Sequence, residues 1–383
     1  MKKGLIHATL TLVVLGIVTL FAAPSILEDQ QNVVLRDNEW PLTDSAKILH
    51  KSLRIADLHA DTLLWKRDLL ERSSIGHVDL PRLQDGGVVL QVMSVVTKSP
   101  RGQNYESNSA SADDNITLLA MLQLWPVKTW DSLLHRALYQ SEKLHRAAAT
   151  HEQLFIITSA AQLTIFLSQH KPGQVATLLA TEGAHPLEGN IANLAKLWQA
   201  GYRMLGLHHF FDNRLGGSLH GESRQGLTDF GKAVVSAAVE MGFIIDVAHS
   251  SPASVDDVLA INPNPVVVSH TGIQGTCNSP RNLADEQLAR IAAAGGLVGV
   301  GYWDAVCDIT PRGVARSIAY AVGLIGARHV ALGSDYDGTT TVTFDTAQLN
   351  LLTQALQDSG LSNDDIRLVM GENQLRFLTQ QLP

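Results

Sequence analysis

Eight short, nearly continuous apolar runs recur along the chain, separated by stretches with helical periodicity. Runs that are apolar at consecutive positions are typical of parallel strands whose two faces are both covered by helices. Strand–helix alternation repeated eight times predicts an α/β fold of the (β/α)8 TIM-like barrel type rather than an open sheet. A further β-like run at 154–158 leaves the exact strand count open. The eight runs cover residues 55–57, 88–95, 176–181, 204–207, 243–247, 266–269, 297–301 and 330–333.

The stretches between the runs include four clear helical patterns. Two of them have start signals, Thr228-Asp229 before one and Ser251-Pro252 before the other, because a hydroxyl can accept hydrogen bonds from the free N–H groups of a first turn. The polar, turn-rich stretch 98–114 instead predicts a long loop. The predicted helices cover residues 230–241, 254–261, 285–294 and 314–325.

The N-terminus has a different pattern. Lys2 and Lys3 precede an uncharged run, residues 5–23, in which His7 is the only strongly polar residue. This run is long enough for a transmembrane helix. The positive flank predicts that the N-terminus stays in the cytoplasm and that the rest of the chain is exported.

Ala22 and Ala23 precede Pro24 and also fit a signal-peptide cleavage site, so an uncleaved anchor and a secreted product both remain open. In either case we expect the catalytic part to be extracytoplasmic, either periplasmic or extracellular. The sequence predicts an N-terminal anchor or signal over 1–25, a linker over 26–45 and a barrel domain over 46–383.

Composition limits the classes of function. The chain has 383 residues, 45% of them hydrophobic and 17% charged, which is typical of a globular protein. Its formal charge of −8 provides no basic surface for nucleic acid. Cys277 and Cys307 could form a disulfide after export or remain two separate thiols, and their spacing does not decide between these alternatives.

Polar residues of the metal-binding types follow six of the eight apolar runs. In a barrel, the carboxyl ends of the strands meet on one face, where catalytic residues lie. Alternate residues of an extended strand point to the same side, so His59 and Asp61 can both face this opening. The other residues at run ends are Glu182, the pair His208-His209, His249, His270 and Asp335.

Histidine and carboxylate ligands without cysteine suit Zn²⁺ and related divalent ions. The set is larger than one metal needs, which favours two metals bridged by a carboxylate. Other residues have simpler interpretations. Asp57 is predicted to support a ligand from behind, His208 could face away, and Asp337 could cap a turn. His77 and His220 are expected on the surface or in loops.

These motifs, in this order, resemble the membrane dipeptidase (renal dipeptidase) family of the amidohydrolase-like metallo-barrels. The resemblance extends from about Ile55 to Phe377. Each motif is weak alone, but the ordered set is specific. The motifs are DLHAD from Asp57, TEGAH from Thr181, HHFFDN from His208, DVAHSS from Asp246, VVVSH from Val266, SPRN from Ser279 and GSDYDG from Gly333.

The resemblance implies a zinc-dependent dipeptidase with two Zn²⁺ per subunit, acting through a metal-bridging hydroxide. His59 and Asp61 would bind one zinc, His249 and His270 the other, and Glu182 would bridge them.

The resemblance also assigns three residues around the substrate. His209 would stabilise the tetrahedral intermediate, Arg281 would bind the free substrate carboxylate, and Asp335 would transfer a proton to the leaving amine. Dipeptides are the implied substrates, and a homodimer is an implied assembly.

The match has two further consequences. Leu58 and Ala60 stand where the family often has Gly and Asn, which changes the polarity beside the first histidine without removing a ligand. The family's animal members have a cysteine pair in corresponding positions, which implies a Cys277–Cys307 disulfide. Two alternatives remain: hydrolysis of another small amide or lactam, and a non-catalytic binding protein on the same barrel.

Overall fold

The computed structural model describes residues 22–35 and 40–383. The predicted membrane segment therefore lies almost entirely outside the described residues. Within the described ranges, no helix is both long enough and apolar enough to cross a bilayer.

Eight parallel strands close into a barrel, as the apolar runs predicted. Closure occurs where β3 pairs with β5 and where β10 pairs with β2, in the registers Leu90↔Ala176 and Leu332↔Asp57. The barrel strands are β2 (Ile55–Ala60), β3 (Val88–Met93), β5 (Val175–Thr181), β6 (Tyr202–Gly206), β7 (Ile244–Asp246), β8 (Val267–Thr271), β9 (Leu297–Val300) and β10 (Val330–Leu332).

The additional run forms β4 (Leu154–Ile156), which pairs with the first half of β5. It lies outside the closed circle of eight, so the strand count of the barrel stands. Every residue of the eight barrel strands is buried, which is the burial expected when helices cover a parallel sheet.

Thirteen α-helices between residues 44 and 381 surround or connect the strands. Thr228 and Ser251 cap their helices as predicted, since their side chains accept hydrogen bonds from the nitrogens of Gly231 and Ser254. The helices are α1 (Asp44–Lys51), α2 (Leu80–Asp85), α3 (Asn115–Leu122), α4 (Leu133–Thr150), α5 (Ala160–Gln169), α6 (Asn193–Gln199), α7 (Asp229–Glu240), α8 (Pro252–Ile261), α9 (Asp285–Ala293), α10 (Pro311–Ile325), α11 (Leu349–Asp358), α12 (Asn363–Arg367) and α13 (Asn373–Gln381).

Part of the predicted linker over 26–45 packs on the barrel. Residues 22–31 are helical, and β1 (Val33–Val34) pairs in parallel with β11 (Thr341–Val342), just beyond β10. A two-residue strand leaves no periodicity in a sequence, so the pattern gave no sign of this contact.

Candidate active site

The structure brings the predicted residues at the strand ends into one buried cluster at the carboxyl end of the barrel. His59 and Asp61 come from the end of β2, and Asp335 follows β10. The remaining members follow the strands between them around the circle. Six of the seven are at most 5% exposed, and the side chain of Asp335 is 14% exposed. The remaining members are Glu182, His209, His249 and His270.

Glu182 lies at the centre of this cluster. Its Oε1 atom is 3.1 Å from Nε2 of His249 and 3.3 Å from Nε2 of His270. The same oxygen is 3.7 Å from Nε2 of His59, and Oε2 is 3.5 Å from Nε2 of His209. One carboxylate therefore faces ring nitrogens from four different strands.

His59 is surrounded by carboxylates. Its Nε2 lies 3.4 Å from Asp61 and 3.8 Å from Asp335. Burial lowers the pKa of His59, but Asp61, Glu182 and Asp335 outweigh it and raise the pKa to about 10. Burial and the neighbouring Asp61 raise the pKa of Glu182 well above its ordinary range.

The opposite side of the cluster favours neutral histidines. Burial, together with the Arg281 guanidinium and neighbouring imidazoles, lowers the pKa of His249 well below its ordinary value. The Nε2 atoms of His249 and His270 are only 2.9 Å apart, so they can share at most one proton. Neutral imidazoles with free lone pairs are the form that binds a metal.

The donor set fits a divalent cation. Three carboxylates, those of Asp61, Glu182 and Asp335, converge on the imidazoles in one small volume, and a positive ion would compensate their mutual repulsion. Nε2 of His59 and Oδ1 of Asp61 are buried and have no hydrogen-bond partner among the described residues. Unpaired buried atoms of this kind are costly unless a ligand satisfies them.

Ser269 fixes the orientation of two of these rings. Its Oγ lies 3.2 Å from Nδ1 of His59 and 3.0 Å from Nδ1 of His270. A hydroxyl oxygen can accept from both Nδ1–H groups, which leaves both Nε2 lone pairs directed at the cluster. Sequence reasoning missed this role, because neighbouring residues of a regular strand face opposite sides. The register of β8 shifts between Val268 and Thr271, where Ser269 lies.

Asp57 supports the end of β2 from behind, as predicted. Its Oδ1 accepts hydrogen bonds from the backbone nitrogen of His59 at 2.9 Å and from Gln91 at 3.2 Å. Its Oδ2 accepts from the backbone nitrogen of Ser334 at 3.0 Å. The carboxylate thus joins the strand that holds His59 to the loop that holds Asp335.

Arg281 lies on the same cavity, although it is 1% exposed. Its Nη2 is 3.2 Å from Nε2 of His249 and donates to the carbonyl of His270 at 3.1 Å. The guanidinium also lies 5.3 Å from the ring centroid of Trp303. These contacts hold a fixed positive charge beside the predicted metal ligands.

A disulfide joins Cys277 to Cys307, with an S–S distance of 1.99 Å. It connects the loops that carry Arg281 and Trp303. Asn282 strengthens this connection, since its Nδ2 donates to the carbonyls of Cys277 and Ala305, both at 2.7 Å. The pairing implied by the resemblance is therefore present.

The long loop 98–114 forms one wall of the site. The carbonyl of Lys98 lies 3.3 Å from Nδ1 of His209, and burial lowers the pKa of His209 to about 3. Tyr105 donates to Asp304 at 2.7 Å and accepts from Nε1 of Trp303 at 3.0 Å. Tyr105 had no recognisable motif, so only its place in the fold reveals it.

The cavity in front of the cluster has a volume of about 410 Å³. Apolar and aromatic side chains line it beside the charged groups, which is usual for small-molecule sites. Lining residues include Asp61, Glu182, His209, Arg281, Trp303 and Asp335.

Two histidines are more buried than expected. His77 and His220 were expected at the surface or in loops; both lie in loops, and both are fully buried. His220 stacks on Phe210 with ring centroids 4.8 Å apart. Polar neighbours along the sequence suggested exposure, whereas loops that fold over the barrel opening bury both rings. His208 faces away from the cluster and contacts Ser250 at 2.9 Å.

A (β/α)8 barrel with histidines and carboxylates converging at its carboxyl end defines a metal-dependent hydrolase. The chain matches the family model described as membrane dipeptidase (peptidase family M19) over residues 43–382. The protein therefore belongs to the membrane dipeptidase family of metallopeptidases, which confirms the resemblance drawn from its motifs.

Individual relatives are more distant. The dipeptidase aclJ of Aspergillus oryzae is 28% identical over 375 residues, covering 90% of this chain and 84% of that protein. The probable dipeptidase PvdM of Pseudomonas aeruginosa has a TM-score of 0.72 and 19% identity, with 88% of this chain and 98% of that chain covered.

A metallo peptidase of Rhodobacter sphaeroides, whose structure contains a phosphinate mimic of the dipeptide L-Ala-D-Ala, has a TM-score of 0.68 and 22% identity. That comparison covers 86% of this chain and 99% of the other. At these identities, the two solved structures show only that this chain shares their fold.

Proposed function

We propose that this protein hydrolyses the peptide bond of small dipeptides with two Zn²⁺ ions. The observation behind the proposal is the 3.2 Å separation between Nη2 of Arg281 and Nε2 of His249. A fixed guanidinium beside metal-type ligands suits a substrate that has a free carboxylate close to its scissile amide. A dipeptide has this arrangement, and Arg binds carboxylates through two parallel hydrogen bonds.

The comparisons support this choice of substrate. The dipeptide mimic in the Rhodobacter sphaeroides structure belongs to that protein. Its common fold with this chain, and the dipeptidase aclJ among the relatives, make dipeptides the first substrates to test.

The residues divide into a metal-binding set and a substrate-handling set. Zn²⁺ ions held by His59, Asp61, Glu182, His249 and His270 would supply an activated water and polarise the scissile carbonyl. Arg281 would fix the substrate carboxylate and so orient the amide over the cluster.

His209 would stabilise the negative charge that develops on the carbonyl oxygen. With Nδ1–H donating to the Lys98 carbonyl, the neutral ring has only a lone pair at Nε2. To act as a donor at Nε2, His209 would therefore have to take up a second proton from water in the cavity that it lines. The developing oxyanion would supply the negative charge that favours this protonation.

Asp335 would carry the proton to the leaving amine. Its Oδ1 is 3.8 Å from Nε2 of His59, and its side chain retains partial access to the cavity. A carboxylate between the water-activating cluster and the substrate can accept a proton from one and donate it to the other.

We also propose that the barrel works outside the cytoplasm, held to a membrane through residues 5–23 or secreted after cleavage. Two observations support this location. One is the apolar run with its positive flank, and the other is the Cys277–Cys307 disulfide, a bond that is rare in reducing compartments.

The test uses the purified full-length chain with its bound metal quantified. We expect about two zinc ions per chain and hydrolysis of members of a panel of L,L and L,D dipeptides. Glu182→Gln should abolish turnover, whereas Glu222→Gln, at an exposed position, should retain it. Near-normal activity of Glu182→Gln would contradict the bridging role.

The same panel separates the rival functions. Cleavage of lactams or other amides with no dipeptide turnover would indicate a different substrate class. A metal content near zero would favour a binding protein on the same barrel.

A further inference from the structure

Residues 28–35 lie across the loop that follows β10. We call residues 28–35 the strap, and residues 335–342, which begin with Asp335, the catalytic loop. The strap precedes the residues matched by the family model, 43–382. Its contacts therefore involve a part of the chain that the family assignment does not cover.

The strap pairs directly with the catalytic loop. The backbone nitrogen of Val33 donates to the carbonyl of Thr340 at 3.1 Å, and that of Leu35 donates to Val342 at 2.8 Å. The side chain of Asn32, 3% exposed, accepts from the nitrogen of Thr339 at 2.9 Å. These three hydrogen bonds fix the second half of the loop to the strap.

An ion-pair relay connects the strap to the first half. Glu28 accepts from Nε of Arg67, and Nη2 of Arg67 donates to the carboxylate of Asp337. The side chains of Glu28 and Arg67 are 2% and 7% exposed, and that of Asp337 is fully buried. Removing one member of a buried charged chain leaves the others without compensation.

His77 forms a second relay to the same carboxylate-bearing residue. The backbone nitrogen of Asp337 donates to Nδ1 of His77 at 2.9 Å, so the ring proton belongs on Nε2. Nε2 in turn lies 3.4 Å from the carbonyl of Val33, to which it can donate. Both relays start in the strap and end at Asp337.

The catalytic loop needs external support because of its backbone conformation. Asp335, Asp337 and Thr339 have φ angles of 57°, 63° and 63°, in the left-handed region that residues other than glycine rarely adopt. Such conformations persist only where the surroundings fix them. Thr340 transmits this support to the catalytic position, since its Oγ1 donates to the carbonyl of Asp335 at 2.9 Å.

We propose that residues 28–35 are a positioning strap that holds the catalytic loop in the conformation presenting Asp335 to the cavity. Glu28 and Asn32 are its principal positioning residues. The catalytic consequence rests on the proposed function, whereas the effect on loop conformation does not.

The first experiment compares Asn32→Ala with Asn32→Asp in the full-length protein. The Asp variant keeps an oxygen acceptor for the nitrogen of Thr339, and the Ala variant removes it. We expect Asn32→Ala to accelerate hydrogen exchange of the amides in residues 335–342 about tenfold or more. Its kcat on a dipeptide should fall about 10- to 100-fold with a smaller change in KM. Asn32→Asp should restore both.

A second pair of variants distinguishes a local effect on the loop from a general loss of folding. Glu28→Gln removes the buried carboxylate of the relay, and Asp29→Asn makes the same change at the next, exposed residue. We expect Glu28→Gln alone to raise exchange at residues 337–342 and to lower kcat, while thermal unfolding of both variants stays cooperative.

Two results would overturn the proposal. One is unchanged exchange in the catalytic loop for both Asn32→Ala and Glu28→Gln. The other is faster exchange with unchanged kcat, which would show that the strap does not position Asp335. If the wild-type chain cleaved no dipeptide, the proposed function would fail, and exchange alone would decide the role of the strap.

Discussion

The hydroxyl oxygen of Ser269 lies 3.0 Å from Nδ1 of His270, its neighbour in sequence. The same oxygen lies 3.2 Å from Nδ1 of His59, on the first strand of the barrel. A single hydroxyl therefore sets the proton position of two predicted ligands that come from different strands and whose ring centroids are 3.8 Å apart.

Ser269→Ala should weaken metal binding. Without the acceptor at Nδ1, both rings lose their fixed tautomer and orientation, and loss of such supporting groups typically lowers metal affinity about 10- to 100-fold. Competition with a chelator measures the affinity. Ser250→Ala is the matched control, because it removes a serine contact at 2.9 Å from His208, which lies outside the predicted ligand set. Equal affinities for the two variants would argue against this role.

Gly338→Ala should reduce activity more than stability. A Cβ at Gly338 would lie 2.2 Å from Oδ1 of Asp335 and 2.9 Å from Oδ2 of Asp61. Both carboxylates would have to move, and small displacements of reacting groups cost about 100-fold in rate. Steady-state kinetics and thermal unfolding, measured together, test this expectation.

The control for that substitution is Gly323→Ala in α10. A Cβ at this position meets nothing within 4 Å. We expect normal kcat and a gain of about 0.5–1 kcal/mol in stability, because alanine favours a helix interior over glycine. Equal kinetic effects of the two substitutions would exclude the proposed collision as the cause.

Arg281→Met should remove the preference for a free substrate carboxylate. We expect kcat/KM for dipeptides to fall roughly 30- to 1,000-fold, because a buried charged contact is lost. This corresponds to a loss of about 2–4 kcal/mol in transition-state stabilisation. The corresponding dipeptide amides, which lack the carboxylate, should be cleaved about equally by both proteins. Arg281→Lys retains the charge but not the fork, so it should recover only part of the loss. An undiminished preference for the free carboxylate in Arg281→Met would assign its recognition elsewhere.

Acid stability should depend on His50, far from the cluster. Burial lowers the pKa of His50 from 6.5 to about 4, and its Nδ1 lies 2.8 Å from the hydroxyl of Thr353. The folded state therefore binds the proton more weakly than the unfolded state. The contribution of His50 to the stability of the folded state is complete above pH 6.5 and is lost as the pH falls towards about 4.

His50→Gln should reduce the loss of unfolding free energy at acid pH by about 1–3 kcal/mol, because glutamine cannot take up a proton in the unfolded state. Denaturant unfolding at several pH values measures the slope, with unfolding at about pH 8 as the internal reference. Parallel slopes for the variant and the wild type would show that other groups cause the acid sensitivity.

The sequence predicted the barrel and the residues at its strand ends because these features repeat. Glu182 and His270 stand directly at the ends of apolar runs, and parallel strands place such positions on one face. Ser269 and Tyr105 could not be found in this way. The role of Ser269 depends on an irregularity of β8, and that of Tyr105 depends on where a long loop folds back.

The strap was hidden for a similar reason. Glu28 resembles any surface carboxylate in sequence, and its burial follows from Arg67, which is 39 residues away. Hydrophobic patterning detects elements that cover a core, but it does not detect single polar contacts between distant segments.

The disulfide between Cys277 and Cys307 closes a segment of 30 residues, which stabilises a fold by about 3–4 kcal/mol in the chain-entropy view. It also joins the loop of Arg281 to that of Trp303. A chain with reduced thiols would lack this covalent link beside the guanidinium that is proposed to bind the substrate carboxylate. If the barrel is exported, as proposed above, a chain still in a thiol-rich cytoplasm would hydrolyse peptides less well than the exported, oxidised chain. The bond would then act as a maturation check that spares intracellular peptides.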